Sequence, residues 1–271
     1  MVIRAVTFDV WDTLLSLKVA REAMISAVAR ETGRPEAEVR EAVSEADRAV
    51  RRERRLRGLS GSEAVRASVS ILASRLGYSG DLLGVIEGAI VSLRPEEVAF
   101  SDAVEAVREV KGMGLRVGVL GNTLFWTSSA TRALLRASFG DPFDFTGFAD
   151  EMGASKPSPE AFMAAARGLG VEVEEMAHVG DRASEDLGGA LAAGLRAVLV
   201  ARGRVREAAV FEALGFAVVP DLRGLGEVLG GSGPRNSTGP SPLSKPLSAA
   251  IAAPQINRRP NTTAGRATCA L

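Results

Sequence analysis

The stretch Val2-Ile3-Arg4-Ala5-Val6-Thr7-Phe8-Asp9-Val10-Trp11-Asp12-Thr13-Leu14 decides the fold. It is a short, β-branched apolar run that stops at an acidic turn, the pattern of a buried strand. From Ser16 to about Glu97 the periodicity becomes helical. Val39, Ala42, Val43, Ala46 and Val50 recur at three- and four-residue spacing, and Ser60 and Ser62 are available to cap the next helix. After Pro95 the chain alternates between the two periods. Helices are predicted over Ser101–Lys111, Thr127–Ala137 and Ser184–Ala193, with another that has Ser158 as N-cap and Pro159 at its first position. Strands are predicted at Leu115–Leu120, Phe145–Ala149, Met176–Val179 and Arg196–Val200, before a weaker helix-strand pair ending at Val219. This alternation implies an α/β fold: a Rossmann-like parallel sheet covered on both faces, with an all-α domain inserted after the first strand.

The core is therefore expected at residues 1–15 and 98–229 and the helical insertion at 16–97. Beyond Gly230 the composition changes: residues 230–271 hold six of the 12 prolines, almost no acidic residues and no apolar period, as expected of a disordered tail.

Composition narrows the partners. The chain has 271 residues, 46% of them hydrophobic and 24% charged, with no apolar run long enough to span a bilayer. Lys+Arg and Asp+Glu both total 33, so no global basic field exists to hold nucleic acid or an anionic membrane. Any anion must be met by a local site, and the expected partner is a small anionic molecule. The single cysteine, Cys269, allows no intrachain disulfide, and the start carries no signal-peptide pattern; a cytoplasmic location is expected. A monomer and a homodimer are equally compatible with the sequence. Only four of the 33 basic residues are Lys, and Asn122 is the sole Asn before position 236. Amide depletion of this kind accords with a heat-adapted protein, although coding bias gives the same signature.

Open sheets of this type bind ligands beyond the carboxyl ends of their strands. Four such ends carry polar residues: Asp9 to Leu14, Gly121-Asn122-Thr123, Ser155-Lys156-Pro157, and Gly180-Asp181 with Glu185-Asp186. In order and spacing this set resembles the haloacid dehalogenase-like hydrolase superfamily, in the subgroup with a helical cap inserted between the first and second motifs. The resemblance covers about residues 1 to 220. It implies that Asp9 is the nucleophile of an aspartyl-phosphate mechanism and that Lys156 pairs with it. A Mg²⁺ ion would be held by Asp9, Asp181, Asp186 and the Trp11 backbone carbonyl, and Gly121, Asn122 and Thr123 would face the substrate. The alternative for Asp186 is to orient Lys156 or a metal-bound water instead of touching the ion.

Two positions depart from the family pattern. The second Asp that usually protonates the leaving oxygen is replaced by Trp11, followed by Asp12 where a Gly is usual. Asp12 is a candidate for the missing acid, and equally a turn-stabilising carboxylate. The Ser or Thr usual in the second motif is Gly121. An aromatic residue at position 11 is similar to the family's 2-haloacid dehalogenases, which need no metal. The retained acidic pair favours a phosphatase, with a dehalogenase or a non-catalytic binding protein as alternatives. The basic run Arg51 to Arg57 is expected to be a solvated helix face, with one or two of its arginines reaching an anionic substrate as the alternative, and His178 a hydrogen-bonded structural residue.

Overall fold

The strand read from Ala5 to Phe8, β1, lies at the centre of a seven-stranded sheet. The protein is described by a computed structural model over residues 2–230; the expected tail beyond Gly230 lies outside the described residues. After β1 come α1 (Leu17–Thr32), α2 (Glu36–Arg57), α3 (Gly61–Leu76), α4 (Leu82–Val91), the single turn α5 (Pro95–Val98) and α6 (Ser101–Gly112). The chain continues through β2 (Arg116–Gly121), α7 (Ser128–Phe139), β3 (Phe145–Phe148), α8 (Ala149–Met152), α9 (Pro159–Leu169) and β4 (Met176–Gly180). A π turn (Ala183–Gly188) leads into α10 (Gly189–Ala192), followed by β5 (Arg196–Val200), β6 (Ala209–Phe211), β7 (Phe216–Val219) and α11 (Leu225–Gly230).

The sheet order is β3-β2-β1-β4-β5-β7-β6, with every neighbouring pair parallel except β6 with β7. Phe8 of β1 lies level with Val119 of β2 and Val179 of β4. The chain ends of these three strands therefore meet at one edge. The connections leave β1 toward β2 on one side, and β4 takes the other, so Asp9 stands at the switch point where open sheets form a crevice.

The insertion is helical throughout. The predicted stripe Val39, Ala42, Val43, Ala46 and Val50 is buried along α2. Ser60, not Ser62, caps α3, in a reciprocal capping box with Glu63. Gly61 opens α3 directly against the start of α8: a Cβ there would lie 2.2 Å from the Ala149 carbonyl carbon, so no side chain fits. Met24, Val28, Leu72 and Ile86 of the insertion share one apolar cluster with Phe125, Trp126 and Leu134.

Two predicted elements differ. The helix expected over Ser184–Ala193 begins as a π turn, because the Arg182 carbonyl accepts from both Asp186 N–H and Leu187 N–H. The widened turn lets Asp186 fold over Gly180, where a Cβ would come within 2.3 Å of the carboxylate carbon. Of the helix-strand pair expected before Val219, the strand is β7, but the segment ahead of it is β6 and a 3-10 turn (Glu212–Leu214), which form an antiparallel hairpin with β7. Phe211 stacks on Phe216 at 4.6 Å, and Gly215, at φ 72°, closes the connection.

Candidate active site

Asp9 follows β1 directly and is 9% exposed. Its Oδ1 accepts from Lys156 Nζ at 2.6 Å. Lys156 is 2% exposed, and its ammonium also lies 2.7 Å from Asp186 Oδ1. That oxygen is 3.1 Å from His178 Nε2, while Asp186 Oδ2 accepts the Arg182 N–H at 2.9 Å. His178 is buried on β4, with Nδ1 2.9 Å from the Thr7 hydroxyl. Burial and the neighbouring Lys156 lower the His178 pKa to about 4, so the imidazole is neutral. The network then assigns its proton to Nε2, donated to Asp186, with Nδ1 accepting from Thr7. This is the structural histidine expected from sequence.

Burial would favour neutral forms throughout this row, but the charges outweigh it in two places. Asp186 is held below the usual carboxylate range by Lys156 and His178 despite its burial, and Lys156 is held above its ordinary value by Asp186 and Asp9. Asp9 moves the other way. Burial, with Asp186 and Asp181 nearby, raises it to about 7 against the pull of Lys156. Asp181 is raised to about 6, first by burial and then by Asp186.

One ammonium thus faces three carboxylates. Oxygen atoms of Asp9, Asp181 and Asp186 lie within 4.8 Å of one another, and Asp181 Oδ1 is buried with no hydrogen-bond partner among the described residues. An all-oxygen donor set with an orphaned carboxylate oxygen fits a hard divalent cation.

The remaining predicted residues fall into place around this row. Trp11 lines the adjacent pocket and packs edge-to-face on Trp126, at 5.2 Å and 81°. Asp12 has the left-handed φ of 61°, where the family's Gly would sit without strain. Its Oδ1 accepts the Leu17 N–H at 3.0 Å and its carbonyl accepts from Arg202 Nε at 3.3 Å. No hydrogen bond or ion pair joins the Asp12 side chain to Asp9, Lys156, Asp181 or Asp186 among the described residues; its carboxylate serves the turn into α1. Gly121 ends β2 against Phe148, whose ring would lie 2.9 Å from a Cβ, so a Ser or Thr would have to displace it. Asn122 is among the residues expected to face the substrate. It instead donates to the Lys156 carbonyl at 2.9 Å and Glu185 at 3.2 Å, and accepts the Lys156 N–H at 3.0 Å. It positions the lysine's backbone. Thr123 lines the pocket, and its buried hydroxyl has no hydrogen-bond partner among the described residues.

The basic run divides between its two readings. Arg52 and Arg57 are exposed, but Arg51 and Arg54 line the pocket. Arg51 pairs with Asp47 at 3.0 Å and with Glu185 at 3.4 Å, and Arg54 donates to the Thr123 carbonyl at 2.7 Å. Arg21 and Arg182 complete a wall of four arginines against the carboxylates of Asp9 and Glu185. A signal was present: Arg54 continues the buried stripe four residues beyond Val50.

The haloacid dehalogenase-like hydrolase family matches residues 3–194. The glyceraldehyde 3-phosphate phosphatase of Methanopyrus kandleri is 30% identical over 216 residues, covering 76% of this chain and 87% of that protein. Among solved structures, a HAD phosphatase from Thermococcus onnurineus aligns with a TM-score of 0.62 at 22% identity, over 84% of this chain and 99% of that one. The L-2-haloacid dehalogenase of Xanthobacter autotrophicus with chloropropionic acid covalently bound aligns at 0.63 and 21%, with the same coverages. These two structures share the fold. Family match, relative and fold agree: the chain is a hydrolase belonging to the haloacid dehalogenase-like family.

Proposed function

We propose that the protein is a Mg²⁺-dependent phosphatase that hydrolyses a small phosphorylated metabolite through an aspartyl-phosphate on Asp9. The observation that carries this reading is the buried row Asp9–Lys156–Asp186 with the unpartnered Asp181 oxygen beside it. Asp9, Asp181, Asp186 and the Trp11 carbonyl are the groups that would hold the cation. When bound, the ion offsets their mutual repulsion and the charge of the phosphate.

Lys156 holds Asp9 Oδ1, and Oδ2 has no hydrogen-bond partner among the described residues. A carboxylate oxygen of Asp9 attacks phosphorus, the P–O bond to the substrate alcohol breaks, and the alkoxide takes a proton from water. Water then attacks phosphorus and yields a proton to the hydroxide left by the first step, the bond to Asp9 breaks, and inorganic phosphate leaves with the carboxylate restored. Lys156 and the Gly121 turn N–H groups stabilise charge on the transferring group. Trp11 has no acidic proton, so poor leaving groups depart roughly 10²- to 10⁴-fold more slowly than with a positioned carboxylic acid. Helices α1 to α4 act as a cap that closes the pocket with arginines, on a core of residues 1–15 and 98–229.

A dehalogenase-like displacement of halide from carbon by Asp9 is the second reading, favoured by the Trp11–Trp126 pair beside the nucleophile. A non-catalytic binding protein is the third. Phosphomonoesters and 2-haloacids assayed with Mg²⁺ and with chelator separate them. The phosphatase releases phosphate only with Mg²⁺ and not as Asp9→Asn. Metal-independent halide release overturns this reading, and retained metal binding without turnover favours the third.

A further inference from the structure

The turn that follows Asp9 is held from outside by one side chain that takes no part in the acidic row. At its base the turn closes on itself: the Val10 carbonyl accepts from Leu14 N–H and Leu15 N–H, both at 2.8 Å, and the Asp12 N–H donates to the Leu15 carbonyl at 2.6 Å. The Trp11–Asp12 peptide is trans, so its C=O lies opposite that N–H and points away from Leu15. The Trp11 carbonyl accepts no hydrogen bond among the described residues. It is the free acceptor of the turn, and its direction depends on the backbone of Asp12. That residue has a φ of 61°, which a residue with a Cβ rarely adopts and keeps only where its surroundings enforce it.

Arg202, just after β5, supplies that enforcement. Its Nε donates to the Asp12 carbonyl at 3.3 Å and its Nη2 to the Thr13 carbonyl at 2.9 Å, so one planar fork fixes two successive peptide planes. The guanidinium is itself fixed: Nη1 donates to Asp102 Oδ2 at 2.8 Å, and Cζ lies 4.0 Å from the centre of the Phe100 ring. Asp102 also accepts the Leu222 N–H at 2.8 Å, and the Phe100 N–H donates to the Leu14 carbonyl at 3.1 Å. The chain leaving for the inserted helices and the chain returning from them thus meet at this arginine. We propose that Arg202 is a positioning residue, which holds the Asp12–Thr13 backbone in its left-handed turn and so keeps the Trp11 carbonyl and Asp9 in place for the cation and for attack. Its part in cation binding and turnover rests on the phosphatase reading; its hold on the turn does not.

Three variants test this. Arg202→Met keeps an apolar stem over Phe100 and removes every donor, Arg202→Lys keeps the charge on a head that cannot span both carbonyls and Asp102, and Leu169→Ala, a cavity variant at the buried end of α9, controls for lost stability alone. Without metal, amide hydrogen exchange in the peptide covering residues 10–17 should be faster in Arg202→Met than in Leu169→Ala. Calorimetric Mg²⁺ affinity should fall about 10-fold in Arg202→Met, and kcat for a phosphomonoester about 10- to 100-fold, as when support behind a ligand is removed. KM should stay within about threefold, because Arg202 does not hold the substrate. Arg202→Lys recovers part of each loss. If the wild type neither binds Mg²⁺ nor releases phosphate, the phosphatase reading fails and exchange decides: faster exchange of the turn sustains the inference, and unchanged exchange overturns it. An active wild type with unchanged exchange, Mg²⁺ affinity and kcat in folded Arg202→Met overturns the inference alone. Losses matched by Leu169→Ala also overturn it, since they make Arg202 a general stabiliser. Should Arg202→Met not fold, Arg202→Lys decides by the same readings, partial losses sustaining the inference and wild-type values overturning it.

Discussion

Replacing Lys156 with Met should destabilise the protein, and by an amount that depends on pH. The ammonium is 2% exposed and is shared between Asp9 at 2.6 Å and Asp186 at 2.7 Å. Met retains the chain's volume, so the loss is almost wholly one of charge and hydrogen bonding. Removing one partner of a buried ion pair costs about 3–5 kcal/mol because the other is left uncompensated. For a folded body of this size that corresponds to about 6–20 °C in Tm. Asp186 now sits below the usual carboxylate range because Lys156 and His178 offset its burial. Without Lys156 the folded-state pKa values of Asp9 and Asp186 both rise above their unfolded values. The unfolded state then releases protons that the folded state holds, so the variant's deficit should be small near pH 4 and should grow as pH rises toward 8. Urea denaturation of wild type and Lys156→Met across that range, without divalent cation, measures this. A deficit below about 1 kcal/mol at pH 8, or one that does not change with pH, would refute the argument that charge compensation holds this row together.

Three further outcomes follow from the same geometry. Because Asp181 is raised to about 6 and Asp9 to about 7 by burial, the metal-free protein is stabilised by their protonation below pH 4 and loses that contribution as pH rises through 6 to 7. A divalent cation competes with those protons, so the Tm gain from Mg²⁺ should be larger at pH 8 than at pH 5; an equal gain at both would place the ion elsewhere. Trp11→Asp should raise Mg²⁺-dependent hydrolysis of alkyl phosphates by up to roughly 10²-fold and of p-nitrophenyl phosphate much less, since only the poor leaving group needs a proton; an unchanged ratio would count against the role given to Trp11. Asp12→Gly relieves the left-handed φ of 61° and loses one cap to Leu17 N–H, so turnover should stay within a few-fold of wild type, whereas a drop of roughly 10²-fold or more would make Asp12 the missing acid.

The strand-end residues were legible because a parallel sheet forces the carboxyl ends of β1, β2 and β4 to one edge. Once the apolar runs are located, Asp9, Asn122 and Asp181 must be neighbours, with Lys156 close by. Their hydrogen bonds were not legible. Asn122 turns to the Lys156 backbone and Asp12 to Leu17 N–H, choices set by contacts that exist only after folding. The π turn that delivers Asp186 depends on Gly180 leaving room for its carboxylate, and the β6–β7 hairpin depends on Phe211 meeting Phe216. Within the basic run, Arg54 carried the clearer signal. A charged residue at the next position of a buried stripe, four beyond Val50, marks a cation turned inward.

The claim on which the account turns is that Asp9 accepts the substrate's phosphoryl group. Acid-quenching the protein during turnover of a phosphomonoester with Mg²⁺, then mapping peptides by mass spectrometry, tests it directly. One phosphoryl group is expected on the peptide containing Asp9, absent with chelator and absent in Asp9→Asn. Phosphate release that persists in Asp9→Asn, or an Asp9 ester formed from a 2-haloacid without metal, would contradict it.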